Sequence, residues 1–511
     1  SLGNEELKTE VFAGEITALE LDVTMGGTVE LLVRAFDRAH RLHRGRFSKV
    51  YRNMKDSDIA REIAAAVGLR ADVKETREVH EYVFQDNETN WEFLQDRATR
   101  LGFELQVRDK TLVFKPPPSA PSKEVSLAWQ GELLSFRARM VTGEQVNEVE
   151  VRGWDPVNKK PVSGIARQPK GTPEVGESRS GGQVAQSAFQ KPAKCLVARQ
   201  PIYSQAQADL LAQTVLNDLA GTFITAEGVA LGDPELRLGS EVNLSKVGKQ
   251  FTGKYVVTQI AHVYQPDSYT IEFEVTGRRS TDLVSLVSQH AAPEMHVLTG
   301  LVSNVKDDLD LGRVKVKLPT FGPDIESNWC RVAAPGAGPN RGMQYLPELN
   351  DEVLLVGSDI NHLYVLGGLW SKSDPPPLKN SAAVDGKGQV TKRVIQSRTG
   401  HQILLDDSDS GGSITIVDST GKNRLFINTA TKDVEIEATG NIKLKAAKGI
   451  ELEAGTDVKM KSGTQFEIEA TTNLKVQSQM QATFSGRLGA SLGSTTQLTI
   501  GAPSINLGPT A

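Results

Sequence analysis

The chain has 511 residues, of which 39% are hydrophobic and 24% are charged, and a chain this long is expected to divide into about three domains. Its formal net charge of −5, without a basic stripe interleaved with aromatic residues, argues against nucleic acid as a partner. Because no apolar run approaches the roughly 18 residues of a membrane span and the first residues are polar, we expect neither a spanning helix nor a secretory signal peptide.

Three helices with capping signals stand between strand patterns in residues 1–290, which we therefore predict to be an α+β domain. The helices are IAREIAAAV after Asp56-Ser57-Asp58 and before Gly68, WEFLQDRATRL between Thr89 or Asn90 and Gly102, and SQAQADLLAQTVLNDLA with Ser204 as its N-cap. The strand patterns include VFAGEITALELDV, TVELLVRAF and the hairpin FELQVRDKTLVFK. Residues 155–193 are rich in Gly, Pro and Ser without periodicity, and we predict a long surface loop there.

Five short strand patterns separated by Gly, Pro and Asp turns fill residues 296–372. They are HVLTGLVSNV, GRVKVKLP, SNWCRVAAP, DEVLLVG and HLYVLGGLW. Five such strands in so short a span favour a small closed barrel of the OB type. Residues 373–396 are interpreted as a polar linker, and residues 397–511 as a separate β-domain.

From Val434 the sequence repeats with a period of eight over residues 434–505. Each octad has two apolar residues two positions apart, which would share one face of a strand, and Gly, Asn, Asp or Thr between the pairs. The clearly apolar positions, which we predict to form the core of a trimer, are Val434, Ile436, Ile442, Leu444, Ile450, Leu452, Val458, Met460, Phe466, Ile468, Leu474, Val476, Phe484, Leu492, Leu498 and Ile500.

One chain cannot bury this stripe by itself. Eight residues extend at most about 26 Å, which is too short to go around a filled three-sided coil. Three chains wrapped around a common axis would each supply one wall and bury about six side chains at every level. The alternative is an antiparallel meander within a single chain, with both faces partly wet; the uniform apolar pair in every octad favours the shared axis.

The charged residues that flank the second apolar position alternate in sign from octad to octad. This charge ladder comprises Glu435, Glu437, Lys443, Lys445, Glu451, Glu453, Lys459, Lys461, Glu467 and Glu469. Stacked octads would place acid over base, and each exposed pair would stabilise by only ~0.2–1 kcal/mol. A slip of one octad would put like charges together, so we expect the ladder to set the register.

No arrangement of residues in this sequence supports catalysis, and no catalytic, metal or cofactor site is predicted. His40 and His43 have the spacing of half a metal site, but no Cys or acid completes it. The Asp406–Asp409 stretch lacks the spacing of a calcium loop, so a hairpin turn between HQILLDD and SITIVDS is the preferred interpretation. The Gly-rich stretch 336–342 lacks the Lys-Ser/Thr of a phosphate loop and is interpreted as an ordinary loop.

Several of these segments resemble known families. LGRVKVKLPTFGPDIESNWCRVAAPGAGPNRGMQYLPELNDEVLLVG followed by NHLYVLGGLW resembles the OB module of VgrG and of baseplate assembly protein V. AFDRAHRLHRGR, DSDIAREIA, FQDNETNWEFLQDRATRLGFEL and VEVRGWDP resemble the phage late-control D and baseplate-hub family. The octads resemble the triple-stranded β-helix of VgrG and phage tail spikes. The resemblance covers essentially the whole chain, in the order hub, collar, needle.

This resemblance implies a mainly β homotrimer: an α+β hub with two barrel-like subdomains per chain, an OB-fold collar and an intertwined triple-stranded β-helix. It implies a structural spike that punctures a target envelope, with transient contact with the target membrane. The implied partners are a hexameric inner tube protein and baseplate proteins at the hub, and a PAAR-type tip protein docked at the apex on Ile505, Leu507 and Pro509.

The short spacer between collar and needle, and the short stretch after Ile500, are most similar to the spike of extracellular contractile injection systems. Such a protein would be assembled in the cytoplasm without a signal peptide and released within a phage-tail-like particle. The alternatives are a type VI secretion VgrG, a phage tail spike, or a cell-wall hydrolase anchored to a spike.

Overall fold

The computed structural model describes residues 9–117, 123–198, 201–276, 295–409 and 411–501. Strands predominate in these residues, and four longer helices lie in the N-terminal half: α1 (Asp56–Ala66), α2 (Asn90–Leu101), α3 (Gly181–Phe189) and α4 (Gln205–Gly221). The prediction of a mainly β chain with an α+β N-terminal region is confirmed. The chain divides into two compact units, Ser1–Pro376 and Pro377–Ala511.

Seven strands and two helices build the first part of the N-terminal unit. The strands are β1 (Glu15–Val23), β2 (Val29–Phe36), β3 (Phe47–Lys55), β4 (Arg70–Val73), β5 (Val79–Glu88), β6 (Glu104–Arg108) and β7 (Thr111–Lys115), and a 3₁₀ helix spans Arg38–His43. They form the sheets β1-β2, β3-β5 and β4-β7-β6. Helices α1 and α2 pack against the last two sheets, and Ile59, Leu94 and Phe114 are fully buried between them.

The helix boundaries follow from local chemistry. Helix α2 begins with a capping box, in which the Thr89 hydroxyl accepts a hydrogen bond from the backbone N–H of Glu92 and the Glu92 carboxylate accepts one from that of Thr89. It ends at Gly102, whose φ of 66° is the left-handed conformation that glycine adopts without strain. The sequence predicted Thr89 or Asn90 as the helix start and Gly102 as its end, and the structure has Thr89 as the N-cap. Helix α1 instead begins without a side-chain cap, because its N-cap residue is Lys55, whose side chain has no hydrogen-bond acceptor. Asp56, the first helical residue, is buried and forms ion pairs with the partly buried side chains of His80 and Arg97.

Eleven strands follow in residues 123–276. They are β8 (Glu124–Ala128), β9 (Leu133–Met140), β10 (Glu148–Asp155), β11 (Lys160–Ala166), β12 (Glu174–Val175), β13 (Lys194–Val197), β14 (Ile224–Leu231), β15 (Glu241–Ser245), β16 (Gly253–Val256), β17 (Gln259–Gln265) and β18 (Ser268–Val275). Two four-stranded sheets, β17-β18-β14-β9 and β12-β16-β15-β8, share a core that includes Leu133, Leu244, Tyr255 and Phe273. A third sheet, β11-β10-β13, is covered by α4.

The prediction of a long surface loop over residues 155–193 is wrong, because the structure places β11, β12 and α3 within this segment. Helix α3 starts at a capping box formed by Ser180 and Gln183, a signal that the Gly- and Pro-rich composition concealed. The glycine in β11 has a packing role: a Cβ on Gly164 would lie 2.2 Å from the backbone carbon of Ala208 in α4. The small residues therefore allow a helix to approach a sheet closely, rather than marking a loop.

A closed five-stranded barrel completes the N-terminal unit. Its strands are β19 (His296–Asn304), β20 (Arg313–Lys317), β21 (Cys330–Val332), β24 (Glu352–Gly357) and β25 (Tyr364–Gly368), closed in the order β19-β20-β21-β25-β24. These are the five strands predicted from the sequence. The Gly-rich stretch between β21 and β24, expected to be a plain loop, contains the two-residue strands β22 (Ala337–Gly338) and β23 (Arg341–Gly342), which pair as a hairpin.

The C-terminal unit begins with a short helix, Asn380–Ala383, and a five-stranded antiparallel meander. The strands are β26 (Lys392–Gln396), β27 (Gln402–Asp406), β28 (Ser413–Val417), β29 (Arg424–Asn428) and β30 (Asp433–Glu437), each paired with the next. The hairpin turn predicted between HQILLDD and SITIVDS is thus confirmed as the β27–β28 connection.

Residues 438–501, all of which the structure describes, form no strand within the single chain. The chain bends at intervals of eight residues, at 439–440, 447–448, 455–456, 463–464, 471–472, 479–480, 487–488 and 495–496. The predicted turn positions are therefore confirmed, whereas the predicted strands are not formed in one chain. A strand needs a hydrogen-bonded neighbour, and the straight segments between these bends have none in their own chain.

Candidate assembly surface

One face of the five-stranded meander is almost entirely aliphatic. Because neighbouring residues on a strand point to opposite faces, the strand register sorts the side chains into rows that cross the sheet. One row is Ile395, Ile403, Ile416, Leu425 and Ile436, and the next is Arg393, Leu405, Ile414, Ile427 and Val434. The rows end on the first apolar pair of the octads, so the octad stripe continues across the sheet.

These aliphatic side chains are exposed in the single chain. On the sheet, Ile403, Leu405, Ile414 and Ile416 are between 40% and 46% exposed. The sixteen octad positions predicted to form a trimer core, from Val434 to Ile500, are between 54% and 73% exposed. A single soluble chain rarely exposes so long an apolar strip, and strips of this kind mark interaction surfaces.

The opposite face of the meander mixes polar side chains with apolar ones such as Leu404 and Phe426, and it contains ion pairs at the start of the predicted charge ladder. The Arg424 guanidinium lies 2.7 Å from a carboxylate oxygen of Glu435 and 2.6 Å from one of Glu437. The hydrogen bond to Glu437 raises the pKa of Arg424 above its ordinary value. The remaining ladder residues, from Lys443 to Glu469, are exposed in the single chain. The predicted pairing between octads stays a prediction.

The predicted tip-docking residues Ile505, Leu507 and Pro509 lie outside the described residues. Sequence reasoning missed the aliphatic side chains on the meander that precede Val434: Ile395, Ile403, Leu405, Ile414, Ile416, Leu425 and Ile427. Their signal was the apolar content of three short segments: SITIV alternates with a period of two, whereas QILLD and RLFIN each hold three consecutive apolar residues. None of the three has the eight-residue spacing that defines the octads.

A second surface joins the first part of the chain to the barrel. Tyr82 and Phe84 of β5 are buried in the barrel core, where the Phe84 ring meets Phe321 edge-on at 5.2 Å between ring centres. The backbone N–H of Phe84 donates to the Asn361 side chain at 2.8 Å. Strand β5 therefore belongs both to its own sheet and to the core of the barrel. It attaches the barrel to the first part of the N-terminal unit, which contains β1–β7.

The barrel also contacts the segment that precedes α4, and this second contact has an electrostatic component. The His362 ring lies 3.9 Å from the Tyr203 ring, between centres, and its Nδ1 lies 2.9 Å from an Asp359 carboxylate oxygen. Burial acts to raise the pKa of Asp359, but the hydrogen bonds from His362 and Asn361, together with the His362 charge, lower that pKa to about 2. This network positions side chains and leaves no reactive group free.

The residues considered for metal chemistry have structural partners. His40 Nε2 lies 2.6 Å from a Glu15 carboxylate oxygen, whereas the His43 ring stacks on Trp91 at 5.1 Å between centres. Asp406 accepts a hydrogen bond from the backbone N–H of Ser408 at the end of β27. Across the residues that the structure describes, no three His, Cys, Asp or Glu side chains converge as metal ligands. Within the same part of the chain, no helix has the length and apolar character to span a bilayer.

Two family models match the chain. Residues 298–370 match the type VI secretion system/phage-baseplate injector OB domain, which corresponds to the closed barrel. The barrel of this chain is therefore an OB domain of the type VI secretion system/phage-baseplate injector family. Residues 1–265, just over half of the chain, match the family model described as the Alg8 N-terminal domain, and the chain belongs to that family.

Solved structures with similar chains come from phage tails and type VI secretion. The 43 kDa tail protein of prophage MuSo2 from Shewanella oneidensis is 13% identical, with a TM-score of 0.42 over 54% of this chain and 81% of that one. The E. coli c3393 protein, a type VI secretion component, is 16% identical, with a TM-score of 0.44 over 72% and 86%. A Francisella PdpA–VgrG complex contains a chain 9% identical, with a TM-score of 0.47 over 82% and 67%. No curated protein matches the sequence.

Proposed function

We propose that the protein is the central spike and hub of a contractile injection particle and that it acts as a homotrimer. The observation that carries this proposal is the apolar stripe from the meander to Ile500, which bends every eight residues and is left uncovered by the part of the chain that the structure describes. Three copies around one axis would turn the stripes inward, give each straight segment hydrogen-bonding neighbours and leave the charged flanks in water.

The energetics favour folding and assembly as one event. Burying a Leu, Ile or Val side chain stabilises by up to about 1.5–3 kcal/mol, and every level of a three-chain prism would bury about six of them. A lone chain would forgo this burial and expose unpaired backbone, so the C-terminal unit should be ordered only as a trimer. A rod held together by three interwound chains would also resist unravelling under the axial load of puncturing.

The proposed role needs no catalysis. Residues 369–391, between the last barrel strand and the first strand of the meander, are too few to hold an enzyme domain. We propose a hexameric inner tube and baseplate proteins as partners of the hub, and a PAAR-type tip protein as the partner of the apex. Contact with a target membrane would be transient. A released extracellular phage-tail-like particle is the proposed location, and a type VI system or a phage tail is the alternative.

Sedimentation velocity of the full chain at several concentrations tests the proposal, alongside limited proteolysis of residues 392–501. We expect a trimer whose C-terminal unit resists protease, and an elongated particle with one protruding needle in negative-stain micrographs. A folded monomer in dilute buffer, with the same C-terminal unit equally protected, would overturn the proposal.

A further inference from the structure

The hairpin formed by β1 and β2 has one face made only of aliphatic side chains. Along the paired strands, successive cross-strand pairs point to alternate faces. On one face lie the pairs Leu19–Val33, Leu21–Leu31 and Val23–Val29; on the other lie Ala18–Arg34, Glu20–Leu32 and Asp22–Glu30. The hairpin is therefore an amphipathic ribbon with a dry face and a charged face.

Among the described residues, nothing covers the dry face. All six aliphatic side chains are between 48% and 67% exposed. The two strands form a sheet of their own, and no other described helix or strand packs extensively against either of them. A two-stranded hairpin of this kind is marginally stable at best in water, so the ribbon needs a surface to lie on.

The base of the hairpin is firmly held. Glu15, the first residue of β1, makes ion pairs with Arg38, His40 and Arg41 of the adjoining 3₁₀ helix segment, at 3.4 Å to Arg38 and 2.6 Å to His40. Hydrogen bonds from Arg41 and then His40 lower the pKa of Glu15 to about 2. The ribbon is thus presented from a fixed root, which reduces the entropy lost when it binds.

The size and composition of the dry face indicate a permanent partner. Each of the six aliphatic side chains is about half to two-thirds exposed. Together they present an accessible apolar surface on the order of several hundred Å², which approaches the ~800 Å² that one partner contributes to a standard interface. Permanent protein–protein interfaces are more apolar than transient ones, and charged residues are depleted at the centre of an interface. A bilayer fits less well, because Asp22 and Glu30 lie one pair from the tip and anionic headgroups would repel them.

The two-stranded ribbon has unpaired strand edges, which promote aggregation. A partner that is present whenever the chain is synthesised would prevent this. We infer that the dry face of the β1–β2 hairpin packs on a second copy of this chain, so that each hub carries an arm that clamps its neighbour. This inference rests on the proposed trimer. It gives the hub a contact between copies that does not depend on the octads.

Hydrogen exchange on the full-length trimer tests the inference with a matched pair of variants. Leu31→Glu places a charge on the dry face, whereas Leu32→Glu places the same charge on the next residue, on the opposite face. We expect amides of residues 19–33 in the wild type and in Leu32→Glu to exchange on the order of tenfold more slowly than in Leu31→Glu. Protection of α2 should be equal in all three proteins, which shows that the hub is folded.

The outcomes separate this inference from the proposed function. If the wild type is a trimer but its hairpin amides exchange as fast as those of Leu31→Glu, the inference is overturned, and another partner or a membrane becomes the occupant. Equal protection in the two variants also overturns it. If the wild type is a monomer, the proposed function itself fails. If Leu31→Glu does not fold, the wild-type trimer is compared with the exchange rates of the same amides in the unfolded chain: protection of residues 19–33 supports the inference, and exchange at the unfolded rate overturns it.

Discussion

At the scale of single residues, the surroundings of several carboxylates set their pKa values. Asp307 accepts hydrogen bonds from the Arg313 guanidinium, at 2.6 Å to its terminal nitrogen, and from backbone N–H groups of Leu309 and Leu311, which hold its pKa well below the ordinary range. Glu88, at the end of β5, has the opposite environment. Burial raises its pKa to about 7, and the nearby carboxylates Asp96 and Asp86 add to the effect.

Glu88→Gln should change how stability depends on pH. Because the folded pKa of about 7 lies above the ordinary value of 4.5, protonated Glu88 favours the folded state below pH 4.5, and this stability is lost as pH rises through 7. The variant keeps the shape without the charge, so at pH 8 it should be more stable by about 2 kcal/mol, a figure reduced for partial solvent screening.

Denaturant unfolding of both proteins at pH 5, 6, 7 and 8 measures this difference. Glu81→Gln is the control, because Glu81 lies on the same strand but is exposed. If the free energy of unfolding changes with pH in the same way in the wild type and in Glu88→Gln, the prediction is wrong, because the Glu88 carboxyl then titrates alike in the folded and unfolded chain.

At the scale of elements, β5 shows how one strand can serve two cores. Its residues pair with β3 along one sheet, while Tyr82 and Phe84 enter the barrel core. The burial has one imperfection: the Tyr82 hydroxyl is buried without a hydrogen-bond partner among the described residues. A buried polar group of this kind destabilises the folded state, since it leaves water without replacing the hydrogen bonds it made there.

Tyr82→Phe should therefore stabilise the protein, by about 1 kcal/mol, because it removes the unpaired hydroxyl and keeps the ring. Tyr255→Phe is the matched control, since the buried Tyr255 donates its hydroxyl to the Phe251 carbonyl at 2.6 Å. That substitution should destabilise by a similar amount. Equilibrium unfolding in urea measures both effects, and a loss of stability in Tyr82→Phe equal to that in Tyr255→Phe would contradict the assignment.

At the scale of the whole molecule, the octads have a strict period and an alternating charge, and no described residue of the single chain covers the stripe they carry. If three stripes meet, stacked levels bring Lys443 and Lys445 between the acidic levels at 435/437 and 451/453. The ladder would then stabilise weakly at each step but would oppose every slipped register.

Reversing one level, with Lys443→Glu and Lys445→Glu together, should lower the melting temperature of the proposed trimer by roughly 2–4 °C at low salt and less at high salt. Lys448→Glu is the control, because Lys448 lies at a bend outside the ladder positions. Differential scanning calorimetry at two ionic strengths gives the comparison. An unchanged melting temperature in the double variant, or an equal drop in the control, would count against the ladder.

Much of the local structure was readable from the residues. The helix start at Thr89 or Asn90, the glycine stop at Gly102 and the five barrel strands all rest on short-range signals, and the structure contains them, with Thr89 as the N-cap. The segment 155–193 was misread because Gly164 and its neighbours serve a close helix–sheet contact with residues some 40 positions away, near Ala208. The same composition is typical of a loop when only neighbours along the chain are considered.

The sequence by itself determined the eight-residue period, the alternation of charge and the turn positions, since all three are carried by residues a few positions apart. Only the tertiary structure decided which faces stay open, namely the two rows across the meander and the dry face of the β1–β2 hairpin. It also decided that side chains of β5 enter the barrel core. Burial depends on contacts between segments distant along the chain. A pattern of apolar residues says that a face must be covered, and only the arrangement of all segments says whether the chain covers it itself.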